Sequence, residues 1–320
     1  MTTSRFRYWS FGGLPALLLV ASVASAQQAA DIPRLANGLP DLQGTWDFRT
    51  ITPLQRPVEL GLRATLTPQE AAEFEAAQVE LRNRDNFTDT SQTGDYNDFW
   101  YDRGKELDGD VRTSLIISPE NGRVPELTDA AQARNAERRR LAALNEGIEV
   151  RPLSERCIMG FNSGPPMTPS AYNNNVQLVQ TEDHFVIHNE MVHNARIVRM
   201  NDPEHRDAPR KWEGDSIGYW EGDTLIVETR NFAGATSFGN SSENMQLTEK
   251  FWRIDKDTIG YEFTVEDPAT WTEPWTAMFT MVAAEQPIYE YACHEGNYSM
   301  AGIMAGWRTL EVQEELKSTP

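Results

Sequence analysis

The chain of 320 residues carries 48 acidic and 29 basic side chains, which gives a formal net charge of −19 at pH 7. Such an acidic surface repels nucleic acid and anionic membranes, so neither is an expected partner. Aromatic residues make up 10% of the chain, which excludes a disordered acidic protein and indicates a real core. The length allows one large domain or two small ones.

The N-terminal segment has the pattern of a secretory signal peptide, with basic Arg5 and Arg7, an apolar run at Leu14–Val23 and a small-residue end. We expect cleavage after Ala26 and a periplasmic or secreted protein without a membrane anchor, because the apolar run is shorter than the roughly 20 residues that span a bilayer. Removal of residues 1–26 takes away two of the 29 basic residues and no acidic one, so the mature net charge is 27 − 48 = −21.

The mature chain begins with one predicted strand, followed by a helical insertion over about 64–147. Polar and apolar residues alternate over Thr45–Phe48, which is the period of a half-buried strand. A capping box formed by Thr67 and Glu70 then opens a helix that runs to about Asn83.

A second helix is expected over about 128–145, after a short strand at 113–118. Its arginine run, Arg138–Arg140, is most simply a solvated helix face that pairs partly with Glu137. A patch for an anionic ligand is the alternative.

From about residue 172 onward, short β-rich runs alternate with tight-turn signals, which is typical of successive hairpins. The expected strands cover residues 176–180, 185–187, 217–220, 224–228, 247–254, 258–265, 275–282 and 288–293. An antiparallel meander of this length avoids open edges most simply by closing into a barrel. We therefore predict that residues 27–320 form a single, mainly β, barrel domain, with a two-sheet sandwich as the alternative.

The Gly44-Thr45-Trp46 element resembles the Gly-x-Trp element in the first strand of lipocalin-like (calycin-like) barrels. The resemblance implies that Trp46 closes one end of the barrel and that an arginine near the C-terminus, here Arg308, packs against it. Together with the meander, it favours one of two functions, a non-catalytic carrier that holds an apolar or aromatic ligand in a deep cavity.

Six sequence blocks resemble a large group of exported proteins from environmental bacteria. They are LPDLQGTWDF, RTSLIISPENGR, YNNNVQLVQT, EMVHNARIV, YWEGDTLIVET and YEYACHEGNY. That group has no established activity, so the resemblance implies export and a single domain but no reaction.

The chain has two cysteines, Cys157 and Cys293. In an oxidising compartment the expected state is one disulfide that closes a long loop. Two free buried thiols are the alternative.

Two of the five histidines stand beside an acid in the segment His188-x-Glu190-x-x-His193. A helical metal motif needs its histidines four residues apart, whereas these are five apart and follow the strand-like Phe185-Val186-Ile187. We expect a strand with a break near Asn189, after which Glu190 and His193 can form an acid/base couple.

His294 and Glu295 directly follow Cys293, so a disulfide would hold them on a fixed backbone. His294 is a candidate general base, or a metal ligand beside His193. A structural histidine with a solvated glutamate is the alternative. The second expected function is therefore a hydrolase, lyase or isomerase with Glu190, His193, His294 and Glu295 as its acid/base groups.

Five further side chains are expected to bind the substrate or ligand: Trp100, Tyr172, Asn173, Asn175 and Arg196. Amides suit hydroxyl or carbonyl groups, arginine suits an anionic group, and aromatic rings suit sugars or apolar rings. The chain has no nucleophile elbow and no glycine-rich phosphate loop. We expect no organic cofactor, and a divalent metal on His193, His294 and a carboxylate stays open.

Overall fold

The computed structural model describes residues 32–86, 97–144, 147–202, 204–206, 209–234 and 238–318. The signal-peptide prediction for residues 1–26 lies outside the described residues. Three helices are described: α1 (Pro68–Arg82), α2 (Asp129–Leu144) and α3 (Tyr298–Ser318). The described strands are β1 (Gly44–Asp47), β2 (Ile116–Ser118), β3 (Asn175–Gln180), β4 (His184–Asn189), β5 (Ala195–Met200), β6 (Asp215–Glu221), β7 (Thr224–Arg230), β8 (Gln246–Arg253), β9 (Thr258–Glu266) and β10 (Trp275–Ala283).

Nine of these strands close into a barrel in the order β1-β3-β4-β5-β6-β7-β8-β9-β10, and β1 pairs with β10 through Trp46 and Ala283. The remaining strand, β2, pairs with the first residues of β10. Nine strands in a closed ring cannot all alternate in direction, so at least one neighbouring pair must be parallel. That pair is β5 and β6, where Val198 lies opposite Ser216. The predicted barrel is confirmed, with this one departure from an antiparallel meander.

The hairpins predicted from turn chemistry are present. β6 and β7 are joined across Gly222, whose φ of +60° is a left-handed conformation that glycine adopts without strain. β8 and β9 are joined across residues 254–257. These pairs are local in sequence, and each turn by itself sets the direction of the next strand.

The C-terminal segment differs from the prediction. The strand expected over 288–293 does not form, because β10 already has β9 on one side and both β1 and β2 on the other, which leaves no free edge. The unpredicted helix α3 follows, and most of its side chains are exposed, so no apolar stripe marks it in the sequence. None of the described helices combines the length and the apolar character that a bilayer crossing needs.

The two inserted helices form as predicted. At the start of α1, the Thr67 hydroxyl accepts from the backbone N–H of Glu70, and the Glu70 carboxylate accepts from the backbone N–H of Thr67 at 2.9 Å. On α2, Arg140 pairs with Glu137 at 2.7 Å, as expected for a solvated face. Arg138 instead donates to the Gly234 carbonyl at 2.8 Å, so α2 is tied to the loop after β7.

Side chains fill the interior of the barrel. Large rings from neighbouring and facing strands touch one another, with centroids 5.5 Å apart for Phe185 and Phe251 and 5.0 Å apart for Tyr261 and Phe279. Met167, from the loop before β3, is fully buried in the same cluster. The deep central cavity expected of a carrier is therefore occupied by the protein itself.

Trp46 closes the barrel end at which β8 terminates, but its partner is not the expected one. The indole is buried and donates to the Leu42 carbonyl at 3.0 Å. The guanidinium of Arg253, the last residue of β8, lies 4.6 Å from the centroid of the Trp46 ring. Arg308 lies exposed on α3, so the assignment of Arg308 to this contact was wrong. The stacking arginine comes from the barrel wall.

Candidate functional site

The segment that carries Glu190 and His193 is a tight turn between β4 and β5. β4 ends at Asn189 and β5 begins at Ala195, and Asn189 donates its backbone N–H to the Asn194 carbonyl at 2.8 Å. The predicted break near Asn189 is confirmed. Val192 and His193 take positive φ values of 58° and 42°, a conformation that is costly for a β-branched residue such as valine.

The Glu190 carboxylate is buried and has a donor on each oxygen. Asn175 donates to Oε2 at 2.6 Å, and the backbone N–H of Tyr289 donates to Oε1 at 3.3 Å. His193 is exposed, and its Nδ1 lies 3.2 Å from the Tyr291 carbonyl. The turn thus holds the chain that leads to Cys293, and one N–H of the Asn175 amide is used by Glu190.

The Cys157–Cys293 disulfide is present, with Cα atoms 5.6 Å apart, as predicted. His294 and Glu295 follow it on an exposed turn, and neither side chain is bonded to the other two predicted catalytic residues. Within the described part of the chain, no group of three or more His, Cys, Asp or Glu side chains could hold a metal ion. The catalytic role of these four residues stays a prediction.

Arg196 points into the barrel instead of towards solvent. Its guanidinium forms a bidentate pair with the fully buried Glu249, in which Nη2 donates to Oε1 at 2.7 Å, and Nη1 also donates to Thr229 at 3.2 Å. Tyr261 donates to the same carboxylate at 2.7 Å. Burial and the charge of Glu249 raise the pKa of Tyr261 well above its ordinary value. Arg196 is therefore already occupied by an internal partner.

The other three predicted ligand-binding residues lie on the outside of the barrel. Tyr172 packs edge-on against Phe161 and Tyr101, with ring centroids 5.3 and 6.4 Å away. Asn173 adopts a positive φ of 53° in the turn that leads into β3. The Trp100 side chain is 61% exposed.

A pocket that the sequence did not reveal lies over one end of the filled barrel, with a volume of about 350 Å³. Among the described residues no charged side chain lines it, and most of its lining residues are apolar: Leu153, Met159, Phe161, Trp212, Phe232 and Phe238, with Pro165 and Pro166. We call this the aromatic pocket. Polar atoms, among them those of Ser154 and of the backbone of three glycines, make up about half of the accessible surface of the pocket.

Two large rings of the aromatic pocket are exposed where the wall faces outward. Phe161 is 48% exposed and Trp212 is 38% exposed. Phe238 reaches inward to the core, 5.8 Å from the ring of Trp275. An uncharged concavity with exposed rings at its rim is a typical small-molecule site. None of the four predicted catalytic residues lines it.

The wall of the pocket comes from segments around residues 153–166, 212, 232 and 238. These segments carry no shared motif, so spacing along the chain could not indicate the site. The proline-rich segment at 164–169 contributes to the wall through Pro165 and Pro166. No protein-family model and no curated protein matches this chain.

Proposed function

We propose that this protein binds one small, uncharged apolar or aromatic molecule in the aromatic pocket. The observation that carries the proposal is an uncharged, ring-lined cavity of about 350 Å³ over the end of a filled barrel. This volume is at the small end of the range of ligand pockets, roughly 300–1,000 Å³. It suits a molecule of one or two rings, held by Trp212 and Phe161 at the rim.

The location at the barrel end follows from the packing of the interior. Ligand-carrying barrels leave room among their inward-facing side chains, whereas here Met167, Phe251 and Tyr261 occupy that space. The acid/base enzyme stays a prediction. Binding is the better-supported function, because the pocket is an uncharged concavity with exposed rings at its rim, while Glu190 has both oxygens engaged inside the protein.

We also propose that the protein is exported. The Cys157–Cys293 disulfide supports this, because disulfides persist in oxidising compartments. The mass of the N-terminal peptide of protein purified from the periplasm or medium tests the proposal. A chain that begins at Gln27 supports it, and an uncleaved chain retained in the cytoplasm contradicts it.

Titration with the uncharged fluorescent probe N-phenyl-1-naphthylamine tests the binding function. We expect saturable binding with one probe per chain, and Trp212→Ala should weaken it by about tenfold to a hundredfold, because a large ring loses ~1.5–3 kcal/mol of buried contact. Trp100→Ala is the matched control, since it removes an even more exposed indole that does not line the pocket.

The control also separates the pocket from the ligand-binding role predicted for Trp100. Equal weakening by Trp212→Ala and Trp100→Ala would indicate nonspecific adsorption to exposed rings. Absence of saturable binding by the unmodified protein would reject the proposal. Circular dichroism of both variants should match the parent, because neither indole is fully buried.

A further inference from the structure

A second cavity, separate from the aromatic pocket, lies beside the C-terminal half of α1. It has a volume of about 490 Å³, and it is lined by α1, by the chain that follows β1, by residues 101–109 and by β10. An adjoining concavity shares Arg82, Arg103, Thr50 and Ile51 with it. We name this cavity the α1 groove. Unlike the aromatic pocket, it is rich in charged groups.

Most acids in the α1 groove are neutralised by neighbours. Arg49 pairs with both Asp47 and Asp102. The Asp108 carboxylate accepts from the backbone and hydroxyl of Thr280, at 2.9 and 2.6 Å, and pairs with Arg112. These contacts leave little negative charge free in the inner wall.

Asp98 is the remaining inner acid, and it is only loosely paired. It accepts from the backbone N–H of Arg84 at 3.3 Å and lies 3.7 Å from Arg103. At the rim, Lys105 and Glu106 are both exposed and carry opposite charges.

The Arg103 guanidinium is held in place by its neighbours, which use only some of its N–H donors. Its guanidinium lies 3.9 Å from the centroid of the Tyr101 ring, and Nη1 donates to the Arg82 carbonyl at 2.9 Å. Stacking on a ring, one hydrogen bond and the 3.7 Å contact with Asp98 use only part of a guanidinium, which has five N–H donors. A planar group held in this way is preorganised for an oxyanion.

Arg82, the last residue of α1, has no acidic partner among the described residues. It is partly buried, and burial together with the positive charge of Arg103 lowers the pKa of Arg82 from its ordinary value. In a chain with 48 acids and 29 bases, it is unusual for a partly desolvated arginine to lie beside a second arginine and to have no acid next to it among the described residues. A basic residue in the last turn of a helix does complement the helix dipole, but a fully hydrated side chain would serve that purpose.

We propose that the α1 groove binds the oxyanion of a small molecule, a carboxylate or a phosphate, between Arg82 and Arg103. Arg82 supplies the uncompensated charge and Arg103 the preorganised fork. The cavity beside them has room for a small organic body. This site is independent of the aromatic pocket, with which it shares no lining residue.

Calorimetric titration of the purified protein with inorganic phosphate and, separately, with benzoate tests the site. We expect saturable binding of at least one of them, weakened by about tenfold or more in Arg82→Gln and in Arg103→Gln. Arg140→Gln removes the same charge from the exposed face of α2 and should leave binding unchanged. Preference for phosphate identifies a phosphoryl ligand, preference for benzoate a carboxylate ligand, and equal binding a site for oxyanions in general.

Two controls on the Arg82→Gln variant distinguish a loss of anion binding from a loss of folding and from a loss of binding in the aromatic pocket. Arg82 makes no side-chain hydrogen bond to a described residue, so Arg82→Gln should unfold at the temperature of the parent or higher, and it should bind N-phenyl-1-naphthylamine as the parent does. If Arg82→Gln does not fold, Arg82→Lys keeps the charge but loses the fork, and it should bind several-fold more weakly. Failure of both anions to saturate, full binding by the Arg82 variants, or equal loss in Arg140→Gln would overturn the proposal.

Discussion

Glu249 and Arg196 are charged residues inside an otherwise apolar barrel. Glu249 is fully buried and Arg196 is 6% exposed, and both side chains stand at inward-facing strand positions. Desolvation of two charges is costly, and it is offset here by a bidentate contact, by the hydrogen bond that Tyr261 donates to Glu249, and by the Thr229 hydroxyl, which accepts from Arg196. The pair is thus stable only as a unit.

Glu249→Gln should lower the free energy of unfolding by about 3–5 kcal/mol, because it leaves the Arg196 charge buried without its counterion. The matched control is Glu262→Gln on β9, where Glu262 forms a partly exposed pair at 2.7 Å with Lys250, the neighbour of Glu249 on β8. That change should cost less than about 1 kcal/mol. Urea unfolding followed by tryptophan fluorescence measures both, and equal costs would contradict the argument.

The role of Arg196 could not be predicted from its position in the sequence. Its partner Glu249 is 53 residues away, and only closure of the barrel brings β5 and β8 face to face. Glu190 illustrates the same limit, because its partner Tyr289 is 99 residues away. The residue types and the break at Asn189 were readable locally, whereas the use of each charge depends on long-range packing.

Among the elements, α2 has a direct connection to the proposed ligand site. Arg138 donates to the carbonyl of Gly234 and approaches Asn240 at 3.4 Å, while Arg134 donates to Thr270 at 2.7 Å. Asn240 directly follows Phe238 and Gly239, which line the aromatic pocket. The helix therefore holds one wall of the pocket without lining it.

Arg138→Ala should weaken binding of N-phenyl-1-naphthylamine by about threefold to tenfold, because the loop that carries Phe238 must then be ordered on binding. Arg140→Ala is the control on the same helix, since Arg140 pairs with Glu137 away from the loop. Fluorescence titration of the two variants measures the difference. Identical affinities would show that α2 does not position this wall.

Local signals predicted the elements well and the connections less well. The capping box at Thr67 and the turn at Gly222 encode their structures within a few residues. The parallel pairing of β5 with β6 is set by the odd number of strands in the ring, and the loss of the strand at 288–293 by the absence of a free edge. Both are properties of the closed sheet, which no short segment contains.

At the scale of the whole molecule, the barrel is a solid support and the cavities lie around it. The Trp46 end is sealed by the Arg253 guanidinium, and the interior by Met167 and the large rings. The aromatic pocket is lined by loops, and the α1 groove by loops, the inserted helix α1 and the edge of β10. Sites of this kind vary with the loops while the barrel stays constant.

The Cys157–Cys293 disulfide ties the chain after β10 to the loop before β3 across a separation of 136 residues. A loop of this length should make the bond contribute about 3–5 kcal/mol, mainly by restricting the unfolded chain. Replacing both cysteines by serine should lower the free energy of unfolding by that amount and leave the far-ultraviolet circular dichroism of the barrel intact, because the bond lies outside the strands. Denaturant unfolding measures this, and unchanged stability would show that the contacts of Glu190 and His193 with residues 289–291 are sufficient to hold the segment.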